Sequence, residues 1–127
     1  MKAGDAIELK VTPDPYVTVR YAGASGDFNP IHIDEEFARQ VGLPGRILHG
    51  LWSMAQVARA ATEAAGGPDK LISLSVQFRG MGRLNEEVVV SGEVTEVHED
   101  GTATAKLEAV QSGHRIIRNA VATLRAG

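Results

Sequence analysis

Residues 49–68 read HGLWSMAQVARAATEAAGGP, and this stretch decides the fold. Between Leu51 and Ala65 it contains neither glycine nor proline and is rich in alanine, which predicts one long helix that ends at Gly66-Gly67-Pro68. Apolar side chains cover most of the helix surface instead of forming a single stripe. A helix that is apolar on most sides has to be enclosed by other elements, so we expect it to lie at the centre of the protein.

The sequence after this helix changes to a period of two, which is typical of strands. Apolar and polar residues alternate from Leu71 to Phe78, and a second strand is predicted over 86–97. Glu99-Asp100-Gly101 predicts a hairpin turn, and Ser112-Gly113 predicts another before a last strand, Arg115 to Leu124. The strand between these turns places four apolar residues on one face: Ala103, Ala105, Leu107 and Ala109.

The sequence before the helix predicts shorter elements. We expect a strand over 6–11, a helix over 16–24, a turn-rich loop over 25–30 and a short helix over 35–41 that Asp34 caps. Combined with the strands that follow, this order predicts an α+β fold in which a curved antiparallel sheet wraps around the central helix at about 51–65. The whole chain, 1–127, is expected to form one domain.

Composition narrows the class of protein. Hydrophobic residues at 43% and charged residues at 23% are ordinary for a globular domain, and a formal net charge of -3 argues against a nucleic-acid partner. The absence of cysteine excludes disulfides and thiolate metal sites. The first residues lack the apolar stretch of a signal peptide and no stretch is as apolar as a membrane span, so we expect a cytoplasmic protein that does not enter a membrane.

The residues best suited to chemistry stand in the stretch YAGASGDFNPIH, residues 21–32. A carboxylate, an amide and an imidazole occur there within six residues, as Asp27, Asn29 and His32. Pro30 fixes one backbone dihedral and keeps Asn29 out of the helical region, so the loop is stiff. Each of these residues alone is most often only a turn residue, whereas the full string combines catalytic types with a rigid bend.

This string resembles the motif of the MaoC-like hydratase family, which runs approximately Y-A-x-x-S-G-D-x-N-P-x-H. His49-Gly50 matches the family's second motif at the start of the central helix, and the resemblance continues in order along almost the whole chain. The resemblance implies the hot-dog fold and the reversible hydration of trans-2-enoyl thioesters to (R)-3-hydroxyacyl thioesters. It also implies an acyl-CoA or acyl carrier protein substrate, and no bound cofactor is expected. The four histidines lack a metal-ligand spacing with acidic partners on one helix face, so we expect no metal.

The residue types suit this chemistry, because hydration needs a base for water, an acid for the α-carbon and a donor to the thioester oxygen. Asp27 and His32 can share one water, and which of them returns the proton stays open. Asn29 is expected to orient the pair. The Gly50 N–H, at the positive end of the helix, is the expected oxyanion donor.

Five further residues are expected around the substrate: Ser25, His49, Leu51, Trp52 and Phe78. Trp52 stands where smaller residues are common in the family, so the acyl pocket is expected to be short or redirected. A scattered group of basic residues in the middle of the chain is a further candidate for contact with the phosphates of coenzyme A or with an acidic carrier protein: Arg39, Arg46, Lys70, Arg79 and Arg83.

Three other functions remain open. A hot-dog thioesterase would carry an acid on the central helix, where only Glu63 near the far end is available. The chain could be the catalytic subunit of a hetero-oligomeric dehydratase, or it could bind acyl thioesters without turnover. A small sheet with free edges favours a homodimer or a dimer of dimers, and a heterodimer fits as well.

Overall fold

A computed structural model describes residues 1–126. It has five strands and four α-helices, joined by short connections and one 3₁₀ turn at Pro68–Lys70. The strands are β1 (Ala6–Val11), β2 (Leu71–Phe78), β3 (Val88–Val97), β4 (Thr102–Gln111) and β5 (His114–Arg125). The helices are α1 (Val17–Ser25), α2 (Pro30–Ile33), α3 (Glu35–Gln40) and α4 (Gly50–Ala65).

The strands form one antiparallel sheet in the order β1-β3-β4-β5-β2, and α4 packs against its inner face. Val57 and Ala61 of α4 are completely buried, and so are Ala105 of β4 and Ala122 of β5. Small side chains on both surfaces let the helix lie close to the sheet. The predicted α+β fold with a sheet around a central helix is therefore confirmed.

The curvature of the sheet has two local causes. A side chain at Gly92 in β3 would collide with the Lys106 carbonyl oxygen and lie 2.7 Å from Leu107 Cα, so only glycine permits this approach of β3 to β4. In β5, Asn119 has a positive φ of 52°, and the pairing of β5 shifts register beside it with both neighbouring strands. Such bulges bend a strand and increase its twist.

Most predicted elements agree with the structure. The central helix, predicted over 51–65, begins one residue earlier at Gly50, and Asp34 caps α3 by accepting a hydrogen bond from the Phe37 backbone N–H. The one-turn helix α2 was not predicted, because four residues are too few to show a helical period. No helix within residues 1–126 is both long and apolar enough to cross a membrane.

The predicted apolar face of β2 needs correction. Leu74 and Val76 are partly buried as expected, but Ile72 and Phe78 are 47% and 48% exposed. The pairing of β2 with β5 shifts register twice, and β2 is an edge strand that has a neighbour on one side only. Part of its apolar surface therefore remains uncovered within the single chain.

Candidate active site

The loop between α1 and α2 is held by its own side chains. The Ser25 hydroxyl donates to the Tyr21 carbonyl oxygen at 2.8 Å and accepts from the Asp27 backbone N–H at 3.1 Å. Asp27 Oδ1 accepts from the Asn29 backbone N–H at 3.2 Å, and Asn29 Oδ1 caps α2 by accepting from the Ile31 N–H at 3.2 Å. These successive turns fix the loop, as its Ser, Asp, Asn and Pro residues predict.

His32 lies on α2 and is buried, with 7% of its surface exposed. Its Nδ1 lies 2.8 Å from the Ile47 carbonyl oxygen, and because a carbonyl can only accept, Nδ1 carries the proton. In the neutral ring Nε2 then holds a lone pair, and this atom lies 3.9 Å from Asp27 Oδ2. That separation is too long for a direct hydrogen bond and suits a water that contacts both atoms.

His49 connects the loop to the start of α4. Its ring stacks on the His32 ring with centroids 3.8 Å apart and planes 21° apart, and its Nε2 donates to the Asp27 carbonyl oxygen at 3.0 Å. The Tyr21 ring also packs against the His49 ring, with centroids 4.8 Å apart and planes tilted by 53°. His49 Nδ1 is buried and meets no hydrogen-bond partner within residues 1–126. The backbone of Asp27 is therefore fixed relative to the helix.

Gly50 is the first residue of α4, so its N–H group belongs to the unbonded first turn. The amides that follow, of Trp52 and Ser53, both bond to the His49 carbonyl. The Phe78 ring lies over Gly50 so closely that a Cβ there would be 3.2 Å from a ring carbon. The positive end of the helix thus meets an apolar wall from β2.

A cavity of about 280 Å³ opens at this point. Seven residues line it: Tyr21, Ser25, Asp27, His49, Gly50, Leu51 and Phe78. Six of them were predicted as catalytic or substrate-binding residues, and Tyr21 is the addition, which its place at the start of the stretch 21–32 could have indicated. The remaining three predicted residues do not line the cavity. His32 lies behind Asp27, Asn29 caps α2, and Trp52 packs against the hydrophobic core.

The segment before α4 is clamped by a charged cluster. Glu35 of α3 accepts hydrogen bonds from the Arg46 backbone N–H and guanidinium, and both bonds hold the pKa of this carboxyl below its usual value. A weaker contribution to the lowered pKa comes from Arg39. Because Arg46 precedes Ile47, whose carbonyl holds His32, this cluster supports the position of the imidazole.

The site offers three donors for a metal ion, since ligand atoms of Asp27, His32 and His49 lie within 4.8 Å of one another. A transition metal, however, binds imidazole lone pairs that converge in the ring planes. The two stacked rings are nearly parallel, so an ion in the plane of one ring lies outside the plane of the other. Each ring also uses one nitrogen for a backbone carbonyl. The arrangement suits a shared water better than a shared ion.

Comparison with known sequences identifies related proteins. The family model described as MaoC like domain matches residues 2–115. The fatty acid synthase beta subunit hexB of Dothistroma septosporum is 35% identical over 107 residues, which are 81% of this chain and 6% of that protein. The 3-hydroxybutyryl-CoA dehydratase of Methylorubrum extorquens is 35% identical over 80 residues, 62% of this chain and 51% of that protein. This chain thus spans a small part of the first relative and about half of the second.

Comparison with solved structures gives the same architecture. The (R)-hydratase from A. caviae involved in PHA biosynthesis superposes with a TM-score of 0.91, at 22% identity, over 100% of this chain and 98% of that one. A chain of the ChsH1-ChsH2 complex from Mycobacterium tuberculosis superposes with a TM-score of 0.86, at 28% identity, over 97% of this chain and 96% of that one. The hot-dog fold that the sequence resemblance implied is therefore confirmed.

The hydrogen bonds of the two buried rings predict opposite tautomers. When neutral, His32 should carry its proton on Nδ1 and His49 on Nε2, because each of these atoms faces a carbonyl oxygen. Two-bond ¹H–¹⁵N correlation spectra of the labelled protein distinguish these forms. The exposed His114 serves as the control and should give signals of a tautomer mixture. A proton on His32 Nε2 would contradict the site geometry described above.

Proposed function

The chain belongs to the MaoC-like dehydratase family, and from this membership we propose that it catalyses the reversible hydration of trans-2-enoyl thioesters to (R)-3-hydroxyacyl thioesters. The observation that carries the proposal is the pair of acceptors, Asp27 Oδ2 and His32 Nε2, which lie 3.9 Å apart beside the amino end of α4. Similarity to hydratases and dehydratases supports the class of reaction, a hydro-lyase.

In the proposed mechanism one water lies between Asp27 and His32, and each acceptor takes one of its hydrogen bonds. One of the two removes a proton while the water oxygen bonds to C3 of the enoyl group. The electrons of the double bond move toward the thioester, and the Gly50 N–H stabilises the negative charge on the thioester oxygen. Asp27 or His32 then gives a proton to C2, which balances the proton taken from the water and completes the addition, and the reverse sequence is dehydration.

The two acceptors of the proposed mechanism differ in their exposure to solvent. The His32 side chain is 9% exposed, whereas that of Asp27 is 52% exposed. Asp27 therefore faces the cavity that receives the substrate, and His32 approaches the same water from the protein interior. Ser25 and Asn29 position Asp27 through the loop, and His49 positions both members of the pair. Leu51 and Phe78 supply the apolar wall for the acyl group.

A thioesterase is disfavoured by the position of the one acid on α4. Glu63 lies in the last turns of the helix, and its carboxylate is paired with Arg59 at 2.9 Å. The opposite end of the helix faces the cavity. No carboxylate on α4 can therefore act at the thioester beside Gly50.

The first test is the loss of either acceptor. With crotonyl-CoA as substrate, loss of the enoyl thioester absorbance should slow by a factor on the order of 10²–10⁴ in Asp27→Asn and in His32→Ala, as is typical when a general acid or base is removed. His98→Ala is the matched control, because His98 bonds to Thr104 in the β3–β4 hairpin, away from the cavity. Near-wild-type rates in both site variants would refute the assignment. Binding of crotonyl-CoA without any absorbance change in the wild type would favour a binding module.

The second test concerns the close approach at Gly50. Gly50→Val places a branched side chain against the Phe78 ring and into the cavity. The added side chain should displace the substrate from the Gly50 N–H and lower turnover on the order of 10²-fold. Thermal melting should stay close to that of Gly23→Val, a control at another exposed helical glycine that has no neighbouring atoms within 4 Å. Replacing Phe78 with alanine in the Gly50→Val background should restore part of the rate. A stable and fully active Gly50→Val protein would remove the proposed oxyanion role.

We also propose that the functional unit is a homodimer or a multiple of it, formed at the free edge of β2. Three apolar side chains near that edge are exposed: Leu51 (60%), Phe78 (48%) and Ile72 (47%). Two of them line the cavity, so a partner at this edge would also complete the substrate site. The similarity to a chain of a two-component complex supports a heterodimer as the second candidate, in which this chain would be the catalytic subunit.

The state of assembly decides between these candidates. Light scattering on the purified chain should give an even multiple of the 13.5 kDa chain mass, and this species should be active. Ile72→Lys should shift the mass toward one chain, because a charge on an edge strand opposes pairing. Val97→Lys, which alters a similarly exposed residue on β3, should leave the mass unchanged. An inactive chain that regains activity with a partner protein would support the heterodimer.

A further inference from the structure

Glu35, the first residue of α3, holds the segment that leads into α4. Its Oε2 accepts hydrogen bonds from the Arg46 backbone N–H at 3.4 Å and from Arg46 Nε at 3.1 Å. Its Oε1 accepts from the Arg39 guanidinium at 3.3 Å. The same oxygen lies over Gly45, where a Cβ would collide with it. One carboxylate on α3 therefore contacts two successive residues of the segment, and the absence of a side chain at Gly45 permits this approach.

The residue after Arg46 holds the helix that carries His32. The Ile47 N–H donates to the Ile31 carbonyl oxygen at 3.1 Å, and the Ile47 carbonyl oxygen accepts from His32 Nδ1 at 2.8 Å. Both backbone groups of this one residue thus bond to α2. Because Ile47 follows Arg46 directly, a displacement of Arg46 moves the carbonyl that fixes the imidazole.

Leu48, the next residue, limits how far such a displacement spreads. Its N–H donates to the Gly82 carbonyl oxygen at 2.9 Å, and its side chain is buried in the hydrophobic core. Leu48 is thus bound to the β2–β3 connection and not to α3. His49 follows it, and the His49 ring bonds to the loop between α1 and α2. The contacts of Glu35 should therefore act on one imidazole of the site and not on the other.

Building on the proposed function, we propose that Glu35 is a positioning residue for His32 and acts through the backbone of Arg46. Neither Glu35 nor Arg46 lines the cavity that the substrate would enter, so both act at a distance from the reacting atoms. An imidazole displaced by about 1 Å no longer shares its water with Asp27, and a misplacement of this size lowers the rate strongly. The Glu35 side chain is 48% exposed, so its replacement removes these contacts without opening a cavity in the core.

The first measurement follows the hydrogen bond of His32 and does not depend on turnover. Solvent exchange of the His32 Nδ1–H and of the His49 Nε2–H is compared by NMR in ¹⁵N-labelled wild type, Glu35→Ala and Glu35→Gln. Glu35→Ala should accelerate exchange at His32 about tenfold and leave exchange at His49 unchanged, because only the Ile47 carbonyl loses its support. Glu35→Gln keeps an oxygen acceptor for Arg46 but loses the charge, so it should accelerate exchange at His32 by only about threefold.

The second measurement is the rate of hydration of crotonyl-CoA. Glu35→Ala should lower kcat about tenfold and leave KM within about a factor of two, because the cavity lining is unchanged. Glu36→Gln is the matched control, since Glu36 is the neighbouring exposed glutamate on α3 and bonds to Gln40 within its own helix. This variant should equal the wild type in both measurements.

The proposal requires both effects of Glu35→Ala. Unchanged exchange at His32 would overturn it, and so would a kcat equal to that of the wild type. Equal acceleration of exchange at His32 and His49 would also overturn it, because that result indicates a general loosening of the site. Absence of hydratase activity in the wild type would refute the proposed function, whereas the exchange measurement would still decide whether Glu35 holds His32.

Discussion

The enclosure of α4 by the sheet is the constraint on which the rest of the structure depends. Val57 and Ala61 on the helix lie against inward-facing residues of β4 and β5, many of them alanine, and these surfaces are completely buried. Larger residues on either side would separate the layers, and smaller ones would leave cavities, so the axis of the helix is closely defined. The amino end of α4 is defined with it, and this is the end that carries the free N–H of Gly50.

Two histidines, in addition to the loop, hold the site at the amino end of α4. His32 bonds to the Ile47 carbonyl and His49 to the Asp27 carbonyl, so the loop and the segment before α4 hold each other through crossed contacts. The stacked rings add a rigid apolar contact between the two bonds. Because both imidazoles are largely buried, displacement of either one would leave a buried polar group without its partner, which is costly. The distance between Asp27 and His32 therefore follows from the packing of the whole site.

The sequence predicts those features that arise from local chemistry. The alanine-rich stretch identifies α4, the period of two identifies β4, and the turn residues around Asp27 identify the rigid loop. The sequence does not reveal contacts between segments that are far apart in the chain. Nothing local indicates that the Phe78 ring covers Gly50, or that Arg39 and Arg46 of the basic group are paired with Glu35. The apolar residues on both faces of β5 are explained only by the register shifts that let adjacent Ile116 and Ile117 both be buried.

In the proposed function and the proposed dimer, the edge strand β2 contributes to both the reaction and the assembly. Its last residue, Phe78, lines the cavity beside Gly50, and Ile72 near its other end is exposed. The cavity beside Gly50, about 280 Å³ in one chain, lies below the roughly 300–1,000 Å³ usual for ligand sites, and its rim includes the exposed side chains of Leu51 and Phe78. A surface that covers the edge of β2 would enlarge this cavity and exclude water from it. Exclusion of water strengthens the interaction of the Gly50 N–H with a developing oxyanion. In the proposed dimer, association and catalysis therefore depend on the same strand.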